Sequence, residues 1–271
     1  MDTPAHPPSP ATATLAPKPQ ATTPTPSTLN PPTTFWGRVG AKFIDWVEGQ
    51  IIRHSVHGNP PVYDSALFPW VAEIEKEWKK IRAELDEVLK RRDELPAFHE
   101  LTKEVATITT DQMWKTYLFY GFGVKSEANL KSCPETARLL QKIPGLSTAF
   151  FSILSPTKHI PAHRGPYNGV LRYHLGLMVP EPNQNVRIRV DDQICHWSEG
   201  RTLVFDDSFN HEVWNDTTGT RVVLFVDFVR PTRFPANFIN WLVLSLSVFT
   251  PFIREANDNQ KNWEKKFYTR R

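Results

Sequence analysis

Cysteine is scarce in this chain: two in 271 residues, Cys133 and Cys195. A single pair cannot make a disulfide framework, which excludes the small cross-linked secreted scaffolds and fits a reducing compartment. Charge imbalance is also slight. A net charge of +3 is too weak a field to argue for nucleic acid. The N-terminus has neither a basic n-region nor an apolar h-region, so no secretory leader is expected and the cytoplasm is the default location. Long apolar runs are nearly missing too. Between Arg233 and Arg254 lie twenty uncharged residues, but Pro235 and Pro251 bracket them. A helix there holds at most ~15 residues, or ~23 Å, short of the ~20 apolar residues a spanning helix needs. Met1–Thr34, rich in Pro, Thr, Ala and Ser, carries too few large apolar side chains to offset the entropy of ordering and is expected to be disordered. About 235 residues remain to fold, enough for one β-rich domain with helical additions.

The periodicities divide that remainder. Over Phe35–His57, Trp36, Val39, Phe43, Val47 and Ile51 recur at helical spacing beside Arg38, Lys42 and Arg53. This is the composition of an amphipathic helix at a membrane interface, or of one packed on the domain; the apolar segment Phe238–Phe249 leaves the same two options. Residues 58–145 read as a helical support region. Val71, Ile74, Trp78, Ile81, Leu85 and Val88 give one buried stripe on a helix ending near Arg92. A β-prone string follows at Trp114–Phe122, then a short helix after Cys133-Pro134. Residues 146–231 change character. Short β-rich runs at Thr148–Leu154, Val170–Val179, Val186–Val190, Thr202–Phe205, Glu212–Trp214 and Arg221–Val229 alternate with turn residues. That spacing predicts a mainly β fold, an antiparallel double-sheet barrel of jelly-roll or cupin-like type. Residues 232–271 form an apolar helix and a basic ending, KNWEKKFYTRR.

Two histidine-bearing segments carry the candidate chemistry: HIPAHRGPYN at His159–Asn168 and FDDSFNHEVWN at Phe205–Asn215. Neutral imidazole is the commonest ligand for a borderline transition metal. One histidine precedes a long strand and another opens a later one, so the two can face each other at a barrel mouth. Spacing alone is weak support, since a lone histidine is more often a satisfied surface or core residue. On the strand Val170–Val179, alternation puts Arg172, His174 and Gly176 on one face and Leu171, Tyr173, Leu175 and Leu177 on the other. Arg221 opens a similar inward row. Buried arginines need partners. Either a dicarboxylate supplies them through bidentate hydrogen bonds, or Asp206, Asp207 and Asp227 do. Pro161 and the loop-like surroundings speak against a helical His159/His163 metal pair, which leaves His159 a supporting role. His196 reads as a surface or packing residue.

The strings from His163 (HRGPYN), Leu171 (LRYHLGL) and Phe205 (FDDSFNHEVW), followed by Thr220-Arg221, resemble the aspartyl/asparaginyl β-hydroxylase family over about Trp114–Pro231. The resemblance implies a double-stranded β-helix and an enzyme using Fe(II), 2-oxoglutarate and O2. It implies His163 and His211 as iron ligands. It also implies Arg172 and His174 at the 1-carboxylate of 2-oxoglutarate, with Arg221 and Ser152 at the 5-carboxylate. Iron(II) oxygenases usually add a carboxylate to two histidines. Here that position is Gly165, as in the peptide-hydroxylating branch, whereas related lipid A hydroxylases carry Asp there. The expectation is a water in its place, steadied by Asp206 or Asp207.

Three substrate classes follow. The favoured one is 2-hydroxylation of a fatty acyl chain in a bacterial membrane lipid, ornithine lipid ahead of lipid A, by an enzyme peripheral to the cytoplasmic face of the inner membrane. The second is β-hydroxylation of Asp or Asn in a protein or peptide. The third is a cupin-like binding barrel without turnover; retention of both iron ligands and four cosubstrate residues argues against it.

Overall fold

The computed structural model describes residues 35–101, 105–121, 124–247 and 251–269, so the expected tail at 1–34 lies outside the described residues. The chain opens with helix α1 (Phe35–His54), strand β1 (Val62–Tyr63) and helices α2 (Trp70–Lys76), α3 (Trp78–Leu89) and α4 (Phe98–Leu101). Next come β2 (Trp114–Gly121), β3 (Val124–Lys125), α5 (Glu127–Ser132) and α6 (Pro134–Leu140). Eight strands then run almost without interruption: β4 (Leu146–Leu154), β5 (His159–His163), β6 (Val170–Met178), β7 (Val186–Val190), β8 (Gln193–His196), β9 (Thr202–Phe205), β10 (His211–Asn215) and β11 (Arg221–Val229). Helices α7 (Ala236–Ser247) and α8 (Pro251–Thr269) close the chain.

The strands form two antiparallel sheets. The larger runs β1-β9-β6-β11-β4-β2-β3 and the smaller β5-β10-β7-β8. Alternation decides which residue faces which layer. Leu171, Tyr173, Leu175 and Leu177 of β6, with Val222, Leu224 and Val226 of β11, meet Ile74, Ile81, Leu85 and Leu139 of the helices. On the opposite face, Phe150, Val223 and Phe225 meet Ile188, Val190 and Val213 of the small sheet. The result is helices, large sheet, small sheet, with one apolar layer in each gap. This is the double-stranded β-helix expected from the strand pattern.

Several expectations are refined. The large sheet reaches outside 146–231 and draws β1, β2 and β3 from the supposed helical support region. The stripe from Val71 to Val88 belongs to two helices, because the backbone leaves the helical region at Glu77 (φ −108°, ψ 10°). Its second half ends at Leu89 rather than near Arg92, where a 3-10 turn follows. The first helix stops at His54; Ser55 then bridges to Thr232. The segment from His159 is a strand, not a loop: β5 is the outer strand of the small sheet, hydrogen-bonded only to β10. An outer strand tolerates Pro161, because its missing N–H leaves no ladder bond unmade.

Candidate active site

His163 ends β5 and His211 begins β10, and the antiparallel register makes them direct cross-strand partners. Their ring centroids lie 4.1 Å apart at 54°. Each Nδ1 faces a backbone carbonyl, Pro161 O at 2.8 Å for His163 and Phe209 O at 3.0 Å for His211. A carbonyl only accepts, so Nδ1 carries the proton in both rings and both Nε2 lone pairs are free for a metal. Burial holds the His163 imidazole below its usual range. Burial, and then His163 as neighbour, holds His211 well below it. Two neutral imidazoles presenting lone pairs side by side are a ligand set for a divalent transition metal. Among the described residues no group of three or more His, Cys, Asp or Glu side chains converges on a common point.

Deeper in the barrel the polar groups lack partners. His174 is buried on β6 with neither ring nitrogen hydrogen-bonded. Arg221 is 2 % exposed, yet among the described residues no carboxylate pairs with it. Its Nη1 donates to Ser152 Oγ at 3.4 Å, its Nε has no acceptor, and its guanidinium carbon lies 4.6 Å over the Trp197 ring. Burial alone pulls it down to about 9. Trp114 Nε1 donates to the same Ser152 Oγ at 3.0 Å, while Thr116 Oγ1 and Trp197 Nε1 are buried and unsatisfied. A protein rarely leaves so many donors orphaned in one place. The set calls for an acidic ligand that accepts from all of them, and 2-oxoglutarate, with a carboxylate at each end, fits it.

Of the two fates open to the arginines, each took one. Arg172 is held by aspartates: Nη2 lies 2.8 Å from Asp207 Oδ2, and Nε donates to Asp227 Oδ1 at 2.9 Å, with its guanidinium 4.2 Å over Phe225. Arg221 is free of them. The two candidate aspartates beside His211 also divide. Asp206 pairs with the buried Arg230 at 2.7 Å, and that guanidinium also donates to Asn168 O, Gly58 O and Tyr63 Oη. It ties these segments together. Asp207 lies against Gly165, two residues from His163, and it explains the glycine. A Cβ on Gly165 would meet Asp207 Oδ2 at 2.1 Å, while Gly165 N donates to Asp207 O at 2.7 Å. The carboxylate comes from the other segment and fills the space in which a side chain at 165 would stand. Burial raises its carboxyl against the pull of Arg172.

His159 is exposed, hydrogen-bonded to Glu212 at 2.7 Å and stacked on Trp214 at 5.5 Å, away from the His163 pair. His196 is exposed. Sequence reasoning missed Trp114, Thr116 and Trp197. The first two were within reach, since alternation along the aromatic string puts Trp114, Thr116 and Leu118 on one face. Trp197 follows a strand with no apolar alternation and gave no signal.

Several known proteins resemble this chain. The aspartyl/asparaginyl beta-hydroxylase family model matches residues 75–231. Among curated proteins, the ornithine lipid ester-linked acyl 2-hydroxylase of Rhizobium tropici is 60 % identical over 225 residues, covering 83 % of this chain and 80 % of that protein. The human aspartyl/asparaginyl beta-hydroxylase is 34 % identical over 170 residues, covering 61 % of this chain and only 22 % of that longer protein. Among solved structures, a Pseudomonas putida prolyl-4-hydroxylase aligns with TM-score 0.39 at 21 % identity, covering 56 % of this chain and 87 % of that one. The matched span includes both facing imidazoles and the orphaned guanidinium, and the chain is a member of the aspartyl/asparaginyl β-hydroxylase family of hydroxylases.

Proposed function

We propose that this chain is an Fe(II)- and 2-oxoglutarate-dependent hydroxylase that places a hydroxyl on the 2-position of a fatty acyl chain in a membrane lipid such as ornithine lipid. The reaction class is carried by one observation: two neutral imidazoles face each other in a barrel that also buries an arginine with no carboxylate partner among the described residues. The lipid substrate is supported by the 60 % identity with the Rhizobium tropici acyl 2-hydroxylase.

His163 and His211 would hold the iron, and Asp207, whose carboxylate occupies the space beside Gly165, would steady a water next to it. Arg221 and Ser152 would take the 5-carboxylate, with Trp114 fixing the Ser152 hydroxyl. His174 would lie on the 1-carboxylate side, with Arg172 behind it already held by Asp207 and Asp227. When bound, iron with 2-oxoglutarate and O2 supplies the oxidising power for an unactivated C–H bond. The chain supplies orientation and dryness. Asp207 and Asp227 lock the Arg172 fork, Pro161 O and Phe209 O fix both imidazole tautomers, and Phe150, Phe205 and Phe225 keep bulk water from the inner end. No side chain is needed as a general base.

The test is the lipid profile of a host expressing the chain. An acyl-bearing lipid should gain the mass of one oxygen, located at C-2 by fragmentation, and the gain should vanish with His211→Ala. An unchanged lipid profile, with one oxygen gained on a peptide instead, establishes the second reading, Asp or Asn β-hydroxylation. That reading is favoured by Gly165 and the 34 % identity with the human enzyme. Absence of succinate formation with either substrate would leave the binding barrel.

A further inference from the structure

One surface is used by nothing described so far. Helix α7, ANFINWLVLSLS, has no charged residue, and only its Ala236 and Asn240 are buried. Phe238, Trp241, Leu242 and Leu246 are 56 %, 59 %, 42 % and 59 % exposed, and Phe234, just ahead of the helix, is 77 % exposed. Alongside it, α1 offers Phe43 and Trp46 to solvent. The two helices are joined underneath by Val47, Ile51, Ala236, Ile239 and Val243, so their exposed residues share one module. Lys42 and Arg53 on α1 and Arg233 just ahead of α7 are exposed, against one exposed acid on α1, Asp45.

Resting on the lipid-hydroxylase reading above, we infer that the α1/α7 pair is a bilayer-docking surface that sets the entrance of the iron site at the lipid headgroups. Water does not favour an uncharged helix face with aromatic and leucine side chains, and a monomer rarely exposes such a patch without a partner. The occupant must accept apolar bulk, ring edges and cations together. An anionic lipid surface does so: aromatic rings settle at headgroup depth and lysine or arginine meets phosphate. The substrate's acyl chains reside there. At 12 residues α7 reaches only about 18 Å, and no helix among the described residues is long and apolar enough to cross a membrane, so the pair would lie in the surface.

What makes the placement functional is how the pair is fastened. The segment joining β5 to β6 begins at the metal-ligand candidate His163 and is clamped to both helices. Arg164, the next residue, donates to both oxygens of buried Glu48 on α1 at 2.9 and 2.8 Å, and Asn168 N donates to the same carboxylate. Tyr167 Oη donates to Asn240 Oδ1 on α7 at 2.9 Å, and Asn240 Nδ2 donates to Gly169 O at 2.7 Å. Gly169 is pinned between them, since a Cβ there would meet the Tyr167 ring at 2.1 Å and Asn240 Oδ1 at 2.2 Å. A bilayer that holds the helices therefore holds this segment. His163, the residue that precedes this clamped segment, is the more exposed of the two imidazoles.

The test is flotation of the purified full chain with vesicles of phosphatidylcholine containing phosphatidylglycerol, compared with phosphatidylcholine alone. Wild-type protein should float with the anionic vesicles, and acyl chains brominated near the headgroup should quench its tryptophan fluorescence. Phe238→Ser with Trp241→Ser should lower partitioning by about tenfold or more. Arg233→Glu, a milder change, should lower it on anionic vesicles only. Both variants should keep their circular-dichroism melting point and their turnover of detergent-dispersed lipid. Wild-type protein that stays with the soluble fraction, or a double variant that floats as well as wild type, overturns the proposal. So does a wild-type dimer that the double variant splits, which would make the face an interface between copies. Failure of the lipid reading is distinct: dispersed lipid would go unhydroxylated while flotation still reported docking.

Discussion

Arg221 gives the sharpest prediction, because one residue separates binding from stability with opposite signs. The residue is 2 % exposed, has no carboxylate partner among the described residues, and its guanidinium meets Ser152 Oγ at 3.4 Å and the face of Trp197. A base whose folded-state pKa lies below its unfolded one costs stability at every pH where it is charged in both states, here everywhere below about 9. The gap spans between three and four powers of ten, about 5 kcal/mol at 1.36 kcal/mol each, an upper bound that the cation–π contact offsets by ~2 kcal/mol. Arg221→Met keeps the bulk and removes the charge. Without ligand it should be more stable than wild type by about 2–3 kcal/mol, or roughly 5–10 °C in melting temperature for a domain of this size. The same change removes the charged anchor for the far carboxylate, so 2-oxoglutarate affinity should fall at least about thirtyfold. Differential scanning calorimetry, with and without 2-oxoglutarate and manganese, reads both effects. A variant that melts below wild type when ligand-free, or still gains stability from 2-oxoglutarate, refutes the reasoning.

Other outcomes follow from the same geometry. His163→Ala and His211→Ala should each weaken ferrous-iron binding by at least about a hundredfold, measured by anaerobic titration. Protons compete for these nitrogens only below their lowered pKa values, so metal affinity in the wild type should hold as pH falls through 6.5; half-loss at 6.5 would contradict the assigned burial effect. Gly165→Ala should destabilise by about 1–3 kcal/mol in denaturant titration, because the added carbon meets the Asp207 carboxylate. Glu48→Ala leaves Arg164 buried without its partner and should cost about 3 kcal/mol, with Glu48→Gln costing less.

The sequence was most legible where a strand is covered on both faces by different layers. Along β6 and β11 alternation separated Arg172, His174 and Arg221 from the leucines and valines of the opposite face, and the structure keeps that division. It was least legible at the outer strands. β5 carries Pro161 and has one hydrogen-bonded neighbour, and β8 is mostly exposed, so neither shows an apolar rhythm. Helix α5 was missed although Ser126 caps it by accepting from Asn129 N, a cue that local pattern offers. The break at Glu77 has no glycine or proline to announce it. In the site, residue types pointed to the two histidines, but the division of the arginines did not follow from composition. Which guanidinium finds an aspartate depends on the register of β6 and β11 with their neighbours, a matter of three-dimensional pairing. Asp227 sits directly across from Arg172, while Arg221 lies opposite Leu154.

The reciprocal fit of Gly165 and Asp207 constrains how such a centre can be remodelled. A designer who wished to install a third protein ligand by writing aspartate at 165 would drive two carboxylates into one volume, because that site is already taken by Asp207 of the neighbouring segment. The exchange becomes feasible only when Asp207 is shortened in the same step, which leaves Arg172 with Asp227 as its remaining carboxylate partner. In this chain an aspartate at 165 is therefore reached by a paired change rather than by a single codon.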